Sequence, residues 1–111
     1  MNKEFYFLSE EIELQKVNDT ISRKIIARGG EMMIVEVHFQ KGAVGTLHAH
    51  IHEQVTYCLK GSVEFEVNGE KQIIKAGDSV FMPIDSLHGC VALEEAILLD
   101  VFTPQREDFL A

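Results

Sequence analysis

Ser62-Val63-Glu64-Phe65-Glu66-Val67-Asn68-Gly69-Glu70-Lys71-Gln72-Ile73-Ile74-Lys75 is the stretch that decides the fold. Its first six residues carry their apolar side chains at odd positions, so a strand there has one buried and one wet face. Asn68-Gly69 supplies the two left-handed residues of a type I′ turn. Lys71–Lys75 returns as the partner strand, and Ala76-Gly77-Asp78 turns again. The same pattern runs outward in both directions. Upstream, Ile21–Ala27 and Glu31–Phe39 read as strands around Arg28-Gly29-Gly30. Downstream, Ser79–Met82, His88–Leu93 and Ala96–Thr103 read as strands, the last two joined at Glu94-Glu95. Ile12–Val17 is ambiguous and leans to strand. The C-terminus reads as one helical turn, with Thr103 as N-cap, Pro104 at the first position and acidic Glu107 and Asp108 following. About ten short strands without a competing helix make an all-β sandwich or barrel.

Composition sets the outer limits. A chain of 111 residues is expected to be one domain. Residues 1–20 read as an N-terminal arm, 21–103 as the barrel and 104–111 as the C-terminal turn. With 46% hydrophobic and 25% charged residues the chain is too apolar for disorder. No apolar run approaches the ~20 residues that span a bilayer. The stretch MNKEFYFLSEE shows no export signal, so a cytoplasmic protein with Cys58 and Cys90 as reduced thiols is expected. Ten basic against 18 acidic residues leave a net charge of -8. That balance argues against nucleic acid and against anionic membrane surfaces. It leaves room for a small acidic substrate, because a cation at the bottom of a pocket reverses the local field.

Four histidines carry the chemistry. His48, His50 and His52 stand at i, i+2, i+4 in Thr46-Leu47-His48-Ala49-His50-Ile51-His52-Glu53-Gln54. On a strand they would share one face, with Gln54 in the same register. Imidazoles converging from a short segment suit one divalent transition metal, and zinc, nickel, copper, iron and manganese all accept them. His88, which opens an apolar strand after a proline turn, is the natural ligand from a distant segment. Histidines without a ligand role are the alternative, and His38 reads that way.

The apolar run Ala96-Ile97-Leu98-Leu99-Asp100-Val101-Phe102 is interrupted by one carboxylate. Burying it is costly unless it is paired, hydrogen-bonded or close to a metal. Asp100 and Phe102 share a face, so if that face lines the interior, Asp100 points into it and can carry protons. A structural aspartate is the competing reading. Arg106 follows in Pro104-Gln105-Arg106-Glu107-Asp108 and either grips a substrate carboxylate or pairs with Glu107 or Asp108. Phe65, Phe81 and Phe102 are candidates for the apolar lining of such a cavity.

Gly42, then five residues, His48-Ala49-His50, three more, Gln54 and later Gly61 resembles the first cupin motif. Gly77, five residues, Pro83 and then His88 resembles the second. This resemblance implies a jelly-roll barrel, a double-stranded β-helix of the RmlC-like kind, with a metal inside. It implies His48, His50 and His88 as ligands. Gln54 stands where many cupins carry glutamate, Asp85 where a glycine is common and Ala92 where an asparagine is common. Gln54 and His52 both remain open as a further ligand. A neutral amide would leave the full charge on the metal, favouring Lewis-acid chemistry and weakening retention.

The longer string, with Tyr57-Cys58-Leu59-Lys60-Gly61, His88-Gly89-Cys90 and Asp100 through Phe109, is similar to one cupin subgroup, the KdgF type of pectin and alginate breakdown. That resemblance implies an isomerase- or lyase-type enzyme. It would convert 4,5-unsaturated monouronates, a small acidic sugar substrate, to linear keto forms. The implied ligand set is His48, His50, Gln54 and His88, with Asp100 and Arg106 catalytic and Phe102 in the pocket wall beside Arg106. A cupin dioxygenase and a non-catalytic sugar- or metal-binding module are the alternatives. Apolar Phe5-Tyr6-Phe7-Leu8 suggests a homodimer that covers an exposed sheet.

Overall fold

The structure, a computed structural model, describes residues 5–110. Its strands are β1 (Gln15–Lys16), β2 (Ile21–Gly29), β3 (Met32–Phe39), β4 (Val44–His48), β5 (Glu53–Lys60), β6 (Ser62–Val67), β7 (Glu70–Lys75), β8 (Ser79–Met82), β9 (His88–Ala92) and β10 (Ala96–Thr103). The deciding hairpin forms as read, with Val63 opposite Ile74 and Val67 opposite Glu70. Asn68 and Gly69 take φ of 49° and 86°, the left-handed pair that the tight turn requires.

All strand pairs are antiparallel. Six strands form one sheet in the order β1-β2-β3-β10-β5-β8, and four form the other in the order β4-β9-β6-β7. From β3 to β6 the chain changes sheet at every connection, the winding of a jelly roll. Alternation then decides what is inside. Val63 and Phe65 from β6, Cys58 from β5, Met82 from β8 and Leu98 from β10 meet between the sheets. Met33, Val35 and Phe102 form a second cluster toward one end. Gly61 closes the β5–β6 turn at φ 80°, and a Cβ there would lie 2.2 Å from the Glu95 carbonyl oxygen, so only glycine fits.

Four local expectations change. Ile12–Val17 contributes only Gln15–Lys16, which pair with Ser22 and Arg23, so the sheet begins before Ile21. The C-terminal turn is a 3₁₀ turn at Glu107–Phe109, preceded by Arg106 rather than capped by Thr103. Thr103 itself ends β10, held in the ladder opposite Glu53 next to the Phe102–Gln54 pair. Phe81 faces outward, 55% exposed, while Val80 and Met82 turn inward, so it does not line the interior. Lastly, Thr46–Gln54 is not one strand: β4 ends at His48 and β5 begins at Glu53.

Candidate metal centre

That break builds the site. His48 closes β4 directly opposite His88, which opens β9. The two strands approach closely because Gly89 has no side chain; a Cβ there would sit 2.6 Å from the Gly45 carbonyl oxygen. Ala49 to His52 then carry the chain from the four-stranded sheet to the six-stranded one. The Asp85 backbone N–H donates to the His50 carbonyl at 2.8 Å and pins this crossing. Asp85 adopts φ 60°, the physical reason a glycine suits its position. His50 and His52 therefore reach the interior from a connector, not from a shared strand face.

His48, His50 and His88 each offer a ring nitrogen within 4.8 Å of the others. Their ring centroids lie 4.5 to 5.5 Å apart. Each Nδ1 faces a backbone carbonyl: His48 to Thr46 at 2.8 Å, His50 to His52 at 3.1 Å, His88 to Ser86 at 3.0 Å. A carbonyl only accepts, so the neutral rings of His48 and His88 carry their hydrogen on Nδ1 and keep a lone pair on Nε2, while both nitrogens of His50 face an accepting oxygen. Backbone carbonyls behind the rings orient imidazoles in the way metal sites do. His88 Nε2 is buried with no hydrogen-bond partner among the described residues. Burial holds His88 well below the usual histidine range, at about 4, and His50 is lowered in the same way, so both rings are neutral near pH 7.

Gln54 stands next to this cluster. The Thr56 hydroxyl donates to Asp100 Oδ1 at 2.7 Å, so its oxygen must accept from Gln54 Nε2 at 2.9 Å. The amide is thereby oriented with Oε1 toward His50 Nε2, 3.0 Å away. An Nε2–H donates to that oxygen in the metal-free ring, and a cation beside the pair would take both lone pairs in its place. The arrangement fits a divalent metal held by three imidazoles and an amide oxygen. His52 turns elsewhere: its Nε2 contacts the Gln105 carbonyl at 3.1 Å, which ties it to the C-terminal turn.

A cavity of about 320 Å³ opens over this cluster, and Asp100, Phe102, Arg106, Phe65 and Cys90 line it with His48, Gln54 and His88. Asp100 stands on the inner face of β10 between Leu98 and Phe102. Burial pushes its carboxyl up to about 6, opposed by Thr56, Gln54 and the charges of Arg106 and His48. Arg106 reaches the cavity and also pairs with Asp108, donating Nε to Oδ1 at 3.0 Å and Nη2 to Oδ2 at 2.8 Å. Its guanidinium lies 5.1 Å from the Phe102 ring and 4.2 Å from the Phe109 ring. Both cysteines are free and buried, and burial pushes the Cys90 thiol up to about 12, so it reads as packing.

Two residues of the site escape sequence reasoning. Thr56 is fully buried between Gln54 and Asp100; its shared parity with Gln54 on β5 was the one available signal. Arg23 on β2 lines the same cavity, with its guanidinium 3.8 Å from the Phe109 ring centroid. Among the described residues no helix is long and apolar enough to cross a membrane.

Comparison with known proteins agrees with this geometry. The cupin domain model matches residues 35–102. The pectin degradation protein KdgF of Dickeya dadantii (strain 3937) is 46% identical over 107 residues, 95% of this chain and 97% of that protein. The solved structure of KdgF from a Halomonas species superposes with a TM-score of 0.90 at 40% identity, covering 94% of this chain and 96% of that one. An RmlC-like cupin from Shewanella frigidimarina superposes at 0.92 with 37% identity, covering 96% of each chain. With fold and sequence in agreement, this chain belongs to the cupin family and, within it, to the KdgF type.

Proposed function

We propose that this chain is a metal-dependent enzyme of pectin and alginate breakdown that opens 4,5-unsaturated monouronates to their linear keto forms. The observation that carries the reading is a carboxyl group, Asp100, on the cavity wall, tied through Thr56 and Gln54 to a cluster of metal-ready imidazoles. The likeness to proteins named for pectin degradation supports the substrate class.

The chemistry asked of the site is an isomerisation. A proton leaves the anomeric hydroxyl, the bond from that carbon to the ring oxygen breaks, the ring oxygen takes a proton, and an aldehyde and an enol result. A proton then adds to the carbon of the double bond, the enol hydrogen is lost, and a ketone forms. Protons given and taken balance, so no oxidant or co-reactant is needed. Asp100 is suited to carry the proton, because its carboxyl faces the cavity and its orientation is fixed by Thr56. Arg106 contributes to holding the acidic end of the sugar and Phe102 walls the pocket, which fixes the pose. His48, His50, Gln54 and His88 would hold the metal. Once bound, a divalent ion supplies Lewis acidity toward substrate oxygens.

Two companion proposals follow. A second copy of this chain covers the outer face of the six-stranded sheet, where Val55, Tyr57 and Leu59 are exposed beside half-buried Ile97, Leu99 and Val101. Phe5 and Tyr6, 71% and 64% exposed, extend the apolar surface. The protein works in the cytoplasm, which keeps its two free thiols reduced. The test of the main reading is direct. Purified protein is given an unsaturated uronate and the decay of the enol absorbance is followed for wild type, for Asp100→Asn and after chelation. Both changes should slow the decay by at least about a hundredfold, the lower end of what a positioned acid–base group contributes. Unchanged decay in both sinks the reading.

A further inference from the structure

The cavity carries two guanidiniums, and among the described residues only one is paired with a carboxylate. Arg106 spends its Nε and Nη2 edge on Asp108. That edge is the one a side-on bidentate grip on a substrate carboxylate would use. Arg23 has no hydrogen bond or ion pair among the described residues, and its Nε is buried without a partner. Both guanidiniums stack on the same ring, at 3.8 and 4.2 Å from the Phe109 centroid. Asp108, already bidentate to Arg106, supplies one negative charge for two cations. Holding an unpaired cation in a half-buried wall is costly, and a ligand anion offsets that cost. Arg23 is also rigidly presented. It stands mid-strand on β2, with Gln15 on one side and Val37 on the other, and Phe109 under its plane.

We propose that Arg23 is a substrate-recognition residue of this cavity, whose guanidinium takes the carboxylate of the acidic sugar while Asp108 locks in place Arg106, the other guanidinium stacked on Phe109. The inference rests on the reading of the site as a uronate-binding one. It differs from that reading in giving the carboxylate grip chiefly to Arg23, with Arg106 contributing only what Asp108 leaves free. Arg23 touches no metal-ligating residue in this scheme and moves no proton. Its role is to select acid over neutral sugar.

The experiment compares two ligands on metal-loaded protein: an unsaturated monouronate and its methyl ester. Binding is measured by calorimetry, and turnover by the decay of enol absorbance. Wild type should prefer the acid by about 10–100-fold, the range for a hydrogen-bonded charge pair. In Arg23→Gln the preference should collapse toward one, through KM rather than kcat. Arg23→Lys, which keeps the charge but loses the fork and the stacking, should keep part of the preference and also serves if Arg23→Gln fails to fold. A full acid preference in Arg23→Gln, or in Arg23→Lys should that be the folded variant without loss, overturns the proposal. A wild type without any preference overturns it too. Acid preference that depends on Arg23 in a protein without turnover supports the proposal and overturns the ring-opening reading alone.

Discussion

Replacing Thr56 by valine removes one hydroxyl and keeps the shape of a fully buried side chain. That hydroxyl makes two bonds, a donation of 2.7 Å to Asp100 and an acceptance of 2.9 Å from Gln54. A hydrogen bond to a charged group contributes about 1.5–3 kcal/mol and a neutral one about 0.5–1.5 kcal/mol. Thr56→Val should therefore cost about 2–4 kcal/mol in the metal-free protein. For a domain near this size each kcal/mol moves Tm by about 4 °C or somewhat more, so a drop of about 10–15 °C is expected. Thr56→Ser keeps the hydroxyl and loses one methyl, costing about 1 kcal/mol. The assay is thermal unfolding followed by circular dichroism, with turnover measured on the same variants. Serine should restore most of the turnover that valine loses, because it restores the orientation of the Asp100 carboxyl and the Gln54 amide. Equal melting temperatures and equal rates for the two variants would refute the idea that Thr56 bridges them.

Gln54→Glu adds a negative charge beside three neutral imidazoles, so metal retention against a competing chelator should rise by about tenfold. Its carboxylate also competes with Asp100 for the single Thr56 hydroxyl proton, so turnover should fall; unchanged retention would put Gln54 outside the coordination sphere. Asp108→Asn tests the Arg106 brace through pH. The hydrogen bond from Arg106 holds the Asp108 carboxyl below the usual range, so its stabilisation is present above about pH 4 and is lost as pH falls through the lowered value. Asp108 is 60% exposed, so wild type should exceed the variant by no more than about 1 kcal/mol at pH 7 and by nothing near pH 2 in denaturant unfolding. An equal gap at both pH values contradicts the brace. Leu99→Glu sets a charge on the outer sheet face opposite Tyr57 and should turn a dimer into a monomer in sedimentation; a monomeric wild type rejects the paired sheet.

What the sequence made legible was mostly local. The Asn68-Gly69 hairpin, the alternation of β6 and the shared face of Asp100 and Phe102 follow from side-chain period and turn chemistry, which act over a few residues; that this face turns inward does not. The histidine cluster was legible for an imperfect reason. His48, His50 and His52 share parity, yet the strand ends at His48, and the change of sheet rather than a common face brings His50 to His88. The same break turns His52 away toward Gln105. Phe81 shows the opposite error: residue type suggested lining, but parity with outward-facing Ser79 decides its direction. Thr56 and Arg23 were illegible because nothing local marks them. Thr56 becomes special through Gln54 and Asp100 together, and Arg23 through a ring 86 positions away, and pairings of that kind exist only once the sheets close.

The most direct test is anomalous diffraction from crystals of metal-loaded protein, collected at the absorption edge of the bound ion. The account predicts a single peak at the centre of His48, His50 and His88, about 2.0–2.2 Å from each Nε2, with the Gln54 oxygen beside it. A peak elsewhere, or three imidazoles with no ion among them at saturating metal, would contradict it.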